Sequence, residues 1–454
     1  MSSDVVGPEL STAVAISLPR ANVKSTMGST HSHISLASSS KHSRLTSSSC
    51  TDSKHGLSSI DIVEGIPHIT GSLDARQYKT PQFAQRLLDI FHELAIPSWH
   101  KVTVPPSTIH IHKVSGALTN AVFFVSSPSA PFRTLLLRIY GPSSGALIAR
   151  PRELHILHVL SSTYHMGPRV YGTFDNGRIE EYFDSVTLTV STIRESRTSA
   201  FIGARMAELH GVDIDALEPK PVAKNTITSE QIVSSWTPPA RRVLDLLSPS
   251  ARADFDLDAF LCRWELYITW LKSTPGSGAD CTVFCHNDAQ YGNILRLKKM
   301  KEGTPEHLQI IVVDFEYAAP NPAAYDISNH FQEWTYNYHG STPHLRDPSR
   351  YPTAAERENF YTAYLSHREV PLPSGRTVPY SSLSDAERAD ELVNLERQVR
   401  LWSVVTHATW ALWGLVQARD DVEAGDVPEF DYIAYARCRF EVFHAELDAL
   451  ALGF

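Results

Sequence analysis

The stretch Phe284-Cys285-His286-Asn287-Asp288-Ala289-Gln290-Tyr291-Gly292-Asn293-Ile294-Leu295 sets the densest polar cluster of the chain between two short apolar runs. Residues 282–284 and 294–297 read as strands, since both runs are short, apolar and separated by turn-forming residues. A further apolar run, 308–313, ends on an acid and continues Asp314-Phe315-Glu316-Tyr317. The order is strand, polar loop, strand, strand, acid. Asn, Asp and Gly between two strands are also ordinary turn chemistry. Two such halves in this order are harder to read as turns alone.

Working outward, residues 81–96 carry Phe83, Leu87, Leu88, Ile90, Phe91 and Leu94 at helical spacing, closed by Pro97. Residues 109–115 alternate as a strand, 116–119 turn the chain, 120–126 and 132–140 read as the next strands, and 147–164 as a helix. Two more short strands, 169–173 and 178–183, flank the turn Asp175-Asn176-Gly177. Residues 109–183 thus predict a small sheet with one helix inserted after its third strand. From 187 onward helical periodicity prevails, over 199–209, 258–271, 386–417 and 432–450. The expected fold is α+β in two lobes. A β-rich N-terminal lobe (61–183) is joined, near 182–187, to a larger helical C-terminal lobe (184–454).

Residues 1–60 differ in kind, with 18 serines and few aromatics or acids. Such a segment buries too little apolar area to offset an ordering entropy of about 1–2 kcal/mol per residue, and predicts a disordered tail. Arg20 and Lys24 before Ser25, with the clusters Ser38 to Ser40 and Ser47 to Ser49, suit phosphorylation. An organelle transit peptide is the alternative, weakened by sparse arginine and by Pro8 and Pro19.

Composition narrows the function classes. The 454 residues carry 41 Lys+Arg against 50 Asp+Glu, a net charge of -9, which argues against a nucleic-acid partner. Five cysteines do not make a disulfide scaffold and suit a reducing, cytoplasmic setting. Residues 404–416 are too short for a membrane span and are interrupted by Thr406 and His407, and no signal sequence is read at the N-terminus. Cys281, Cys285 and His286 lack the second pair that a zinc site needs. His210 reads as a helix-end residue.

Asp288 and Asn293 stand five apart, the spacing of a kinase catalytic loop in which an Asp orients the acceptor hydroxyl and an Asn ligates metal; Asp314 falls where the second metal-binding Asp would be. Phosphoryl transfer needs a positioned carboxylate and hard oxygen ligands for Mg²⁺ rather than covalent help. The runs His286 to Leu295, Val313 to Tyr317 and Tyr325-Asp326-Ile327-Ser328-Asn329-His330-Phe331-Gln332-Glu333-Trp334 closely resemble the choline/ethanolamine kinase family. The resemblance extends back through Ser115 to Asn120, Leu136 to Gly141 and Gly167 to Gly172, and forward through Trp410-Ala411-Leu412-Trp413 to Tyr435, covering about 110–445.

What the resemblance implies is a two-lobed protein-kinase-like fold that phosphorylates a small amino alcohol with ATP and Mg²⁺, feeding phospholipid synthesis. Asp288 matches the family's catalytic base, and Asn293 and Asp314 its Mg²⁺ ligands. Ser115, Gly116 and Asn120 match the loop over the ATP phosphates, with one glycine where two are common. Arg138 would meet the phosphates, with Glu153 orienting it; the plainer readings are a surface strand cation and a solvated helix residue. Glu181, Tyr182 and Phe183 would be the connector beside adenine, and Gln290 joins the nucleotide side. The substrate pocket maps to Tyr317, Tyr338, Trp410, Trp413 and Tyr435, with Glu333 as counter-charge to the ammonium. Trp410 and Trp413, three apart on one helical face, would otherwise read as core. Choline is the expected substrate, ethanolamine or both the alternative. A related aminoglycoside phosphotransferase and a catalytically inactive kinase-like module remain rivals. A protein kinase is disfavoured because Asp-Phe-Glu is followed by no activation segment. A homodimer, with the 81–96 helix as a candidate interface, rests on the same analogy.

Overall fold

The computed structural model describes residues 60–452 apart from 102, 115–119, 129–131, 141–149, 219, 221, 224, 372–375, 426–427 and 429. The Ser-rich tail, up to residue 59, and the expected phosphate-covering loop lie outside the described residues.

The strands of the N-terminal lobe are β1 (Asp61–Val63), β2 (Ile66–Ile69), β3 (His110–Lys113), β4 (Asn120–Ser126), β5 (Leu135–Tyr140), β6 (Val170–Phe174) and β7 (Gly177–Glu181), in the order β1-β2-β6-β7-β5-β4-β3. All neighbours are antiparallel except β2 and β6. The alternation of β5 decides what each face does. Leu135, Leu137 and Ile139 are buried on one face, so Arg138 projects from the other. Helix α1 (Pro81–Glu93), capped by the Thr80 hydroxyl, covers the apolar face with Phe83, Leu87, Leu88 and Phe91. The apolar face of α1 is thereby used within its own lobe. Helix α2 (Arg150–Thr163) lies beside the other face, to which it contributes Glu153.

Sequence reasoning missed β1 and β2. Their hairpin turns on Glu64 and Gly65, both at positive φ (51° and 78°), the pattern of a tight two-residue turn. β2 then pairs with a strand about a hundred residues away.

Strand β8 (Ser185–Thr187) follows the connector and pairs with β10 (Ile294–Leu297), whose other edge takes β11 (Ile310–Val312). Strand β9 (Thr282–Cys285) pairs with β12 (Ala319–Pro322). A strand reading Ala-Pro-Asn-Pro has no sequence signal, since Pro320 and Pro322 cannot donate to a ladder.

The helical lobe is built from α3 (Ser196–His210), α4 (Thr228–Leu246), α5 (Leu257–Ser273), α6 (Ala323–Glu333), α7 (Ala354–Ser366), α8 (Asp385–Gln417) and α9 (Tyr432–Ala449). α8 starts in a capping box of Ser384 and Glu387 and is buried on every side from Leu401 to Leu415, which accounts for its largely apolar sequence there. It packs against α4, α6 and α9. Among the described residues no helix is long and apolar enough to cross a membrane.

Candidate active site

β9 delivers the chain to a loop whose backbone is held from all sides. The Asp326 carboxylate, at the start of α6, accepts from the amides of His286 and Asn287, both at 2.8 Å. Its third partner is His210 Nε2 at 3.0 Å. Asn287 sits at φ 63°, in the left-handed region. Its side-chain amide donates to the carbonyls of Tyr317 (2.8 Å) and Ala319 (3.2 Å), while its Oδ1 accepts from Asn321 (2.8 Å). Asn329 donates to its backbone carbonyl at 3.1 Å. A conformation costing of order 1–3 kcal/mol persists only when so overdetermined. His286 Nε2 faces the Val313 carbonyl (3.0 Å) and its Nδ1 faces the Asp288 amide (3.2 Å), which assigns the proton to Nε2. Burial favours the same neutral ring.

This loop presents Asp288, 5% exposed. Asn293 Nδ2 donates to Asp288 Oδ2 (2.8 Å) and to its carbonyl (2.9 Å). Asp288 Oδ1 and Asn293 Oδ1 are buried with no hydrogen-bond partner. Burial first, then the charges of Glu333 and Asp314, hold the Asp288 carboxyl well above the usual carboxylate range, against the hydrogen bond from Asn293. Asp314 follows β11 at φ 67°, so the acid after the strand turns sharply out of it. Gln290 is fully buried, and its Oε1 caps the Gly292 amide.

On the sheet face above, Arg138 and Arg178 are cross-strand neighbours. The pairing expected between Arg138 and Glu153 is corrected here. Arg178 takes Glu153 at 2.9 Å, and Arg138 takes Glu180 at 3.0 Å, which Arg178 also reaches at 2.6 Å. The reason is register, since Arg178 lies directly opposite Arg138 and Glu180, two along β7 and opposite Leu136, reaches both from the same face. Burial alone would raise the Glu180 carboxyl, but Arg178 and Arg138 outweigh it and bring it down to about 2. Glu181 closes the sheet, its amide bonded to the Arg169 carbonyl (2.8 Å). Tyr182 packs edge-on against Phe124 at 5.0 Å, with Phe183 next in the connector. Ser115 and Gly116 lie outside the described residues, and Asn120 is placed by its backbone alone, opposite Tyr140.

The five expected pocket aromatics come together. Tyr317 meets Trp410 (5.7 Å between centroids), Trp410 meets Trp413 (5.3 Å), and Trp413 meets Tyr435 (5.8 Å), all edge to face. Tyr338 joins through Tyr336, stacked at 5.9 Å, which contacts Tyr435. Trp410 Nε1 donates to Asn329 Oδ1 (2.7 Å), so the aromatic wall and the Asp288 loop share one amide. Glu333 Oε2 accepts from the Tyr338 hydroxyl at 2.6 Å. Its Oε1 accepts from Arg439 at 2.7 Å, a cation absent from the sequence reading. The available signal was its place four residues after Tyr435 on one helical face. Sequence reasoning also missed Tyr336 and Phe430.

A cavity of about 550 Å³ opens beside this wall, bounded by Tyr317, Trp413, Trp236, Glu316 and Gln417. The ligand atoms of His210, Cys285 and Asp326 lie within 4.8 Å of one another. Asp326 is satisfied by amides and His210, and the Cys285 thiol, pushed up by burial, donates to the Asn321 carbonyl. This cluster reads as loop support rather than a metal site.

A β-sheet lobe beside a helical lobe, with an Asp–Asn loop and a following strand-end Asp between them, defines the class: a phosphotransferase of protein-kinase-like fold. Residues 111–444 match the family model described as choline/ethanolamine kinase, and the chain belongs to that family of small-molecule kinases. It is 34% identical over 434 residues to the choline kinase of Schizosaccharomyces pombe, covering 84% of this chain and 92% of that protein. It is 30% identical over 358 residues to a human choline/ethanolamine kinase, covering 76% and 82%. Among solved structures, the choline kinase of Cryptosporidium parvum aligns at a TM-score of 0.62 and 23% identity, over 81% of this chain and 96% of that one, a likeness of fold.

Proposed function

We propose that this chain transfers the γ-phosphoryl group of ATP to the hydroxyl of choline. The observation that carries the reading is the shared amide of Asn329, which ties an aromatic wall suited to an onium ion to the loop presenting Asp288. A quaternary ammonium has no N–H to donate and is held by ring faces, each worth about 0.5–2 kcal/mol. Asp288, buried and with raised proton affinity, takes the proton as the alcohol oxygen bonds to the γ-phosphorus and the bond to the β–γ bridging oxygen breaks, releasing ADP.

The donor set also suits Mg²⁺. Asn293 Oδ1 is a hard oxygen, buried and unpartnered, and carboxylates stand beside it. Asn293 and Asp314 are the residues proposed to hold it, and a bound Mg²⁺ would neutralise phosphate charge. Arg138, clamped by Glu180, is the cation proposed for the phosphates. A cytoplasmic homodimer belongs to the same proposal, and light scattering of the purified protein checks the dimer.

The test is ADP release measured with choline and ethanolamine side by side, for wild type and Asp288→Ala. The variant should lose about 10²–10⁴-fold in kcat while retaining ATP affinity. A variant with near-normal kcat sinks the assignment, and inactivity of the wild type with both alcohols sinks the function.

A further inference from the structure

Among the described residues, Arg439 is a buried cation at the aromatic wall that the proposed function leaves unused. Its side chain is 0% exposed. The guanidinium lies 4.2 Å from the centre of the Tyr336 ring and 5.0 Å from that of Tyr435. Its Nε donates to the Tyr435 hydroxyl (3.1 Å) and an Nη donates to Glu333 Oε1 (2.7 Å). Glu333 Oε2 already accepts from Tyr338. Both oxygens of the carboxylate expected to meet the substrate are therefore engaged by the protein, and its charge is matched at contact distance.

We propose that Arg439 determines which amino alcohol is accepted, by occupying Glu333 so that the pocket recognises the ammonium through ring faces and not through a hydrogen-bond acceptor. This rests on the choline-kinase reading and deepens it. A trimethylammonium group has no N–H to satisfy, so when Glu333 is occupied it gives up only part of its charge attraction and keeps its aromatic contacts. A primary ammonium carries three N–H donors and a tightly held water shell. With each Glu333 oxygen already accepting one hydrogen bond, fewer acceptor sites remain for those donors, and a buried donor left unpaired is costly. The selection is a penalty placed on the unmethylated competitor. Arginine suits the position because its planar, weakly hydrated cation stacks between two tyrosines while reaching the carboxylate, which an ammonium cannot reproduce in full.

The experiment measures kcat/KM for ethanolamine, its mono- and dimethyl derivatives and choline, on the full chain. Wild type should rise with each methyl group. Arg439→Met, of similar bulk and no charge, frees Glu333 Oε1 and should lower the choline-to-ethanolamine ratio at least tenfold, chiefly through a lower KM for ethanolamine. Arg439→Lys keeps the charge and should hold the ratio within about threefold of wild type. Tyr338→Phe frees the other oxygen without removing a buried charge, and should move the ratio in the same direction if Arg439→Met does not fold. An unchanged ratio in Arg439→Met, or in Tyr338→Phe should only that variant fold, overturns the inference, as does a wild type that prefers ethanolamine. A wild type that phosphorylates none of the four overturns the function itself and is told apart by that result.

Discussion

Replacing Asp326 by Asn changes one oxygen to an amide nitrogen and little else, yet it should disable the loop that presents Asp288. The Asp326 carboxylate accepts from the His286 and Asn287 amides through separate oxygens, each at 2.8 Å, in a site with no solvent to substitute. Asparagine has one acceptor, so one of these amides must face an NH₂ donor. Losing one hydrogen bond to a charged group is worth about 1.5–3 kcal/mol, and the stranded donor adds about 1–3 kcal/mol more. Much of that cost falls on Asn287, whose left-handed geometry the bonds hold. The chain of partners fixes proton positions too. Tyr364, itself receiving Arg368, donates to His210 Nδ1, so His210 Nε2–H donates to Asp326. Burial keeps that histidine neutral against the pull of Asp326. In Asp326→Asn the His210 donor competes for the single remaining acceptor. Urea denaturation should show a loss of about 2.5–6 kcal/mol. The residual folded enzyme should lose about 10²-fold in kcat, the scale of a 1 Å displacement of a catalytic group. A variant that loses stability but keeps kcat within threefold would show that Asp326 supports the fold alone and would refute the positioning argument.

Two further outcomes follow from the same contacts. Glu180 lies at about 2 against an ordinary 4.5, a depressed value, so its contribution of about 3 kcal/mol is present above pH 4.5 and lost as pH falls toward 2; Glu180→Gln should be less stable than wild type at pH 7, with the difference shrinking below pH 4.5, as read by denaturant midpoints across pH. Trp413→Leu should raise KM for choline about 2- to 30-fold, one ring face, with kcat changed little. Trp410→Phe should lower kcat as well, because Trp410 holds Asn329, which holds the Asn287 carbonyl; steady-state kinetics on the pair would show equal kcat losses if that link carried nothing.

What was legible in the sequence was whatever one segment could state by itself. The apolar run 132–140 stated a strand, and three-residue spacing placed Trp410 and Trp413 on one helical face. The Asp288–Asn293 interval announced the loop because both residues serve one short turn. What stayed hidden depended on partners remote in sequence. β1 and β2 have three and four residues, and β2 pairs across more than a hundred positions. β12 is a strand only because β9 lies beside it, its two prolines arguing otherwise. Glu153 was assigned to the wrong arginine because a salt bridge depends on register between strands, and β7 supplied Arg178 closer than β5 supplied Arg138.

Arg439 was the least legible, for a physical reason that also makes it informative. On α9 it stands next to Phe440 and two residues from Arg437, and nothing local marks it as buried rather than solvated. Its burial is tolerable only because Glu333 at the end of α6, the Tyr336 ring just beyond it and the Tyr435 ring on α9 itself surround it. A buried ion pair is a poor means of gaining stability, since desolvation offsets most of the attraction, and well-packed apolar side chains often serve better. An arrangement that stability alone does not favour, placed against the wall proposed for the substrate's cation, is better explained by what it denies to the wrong substrate than by what it adds to the fold.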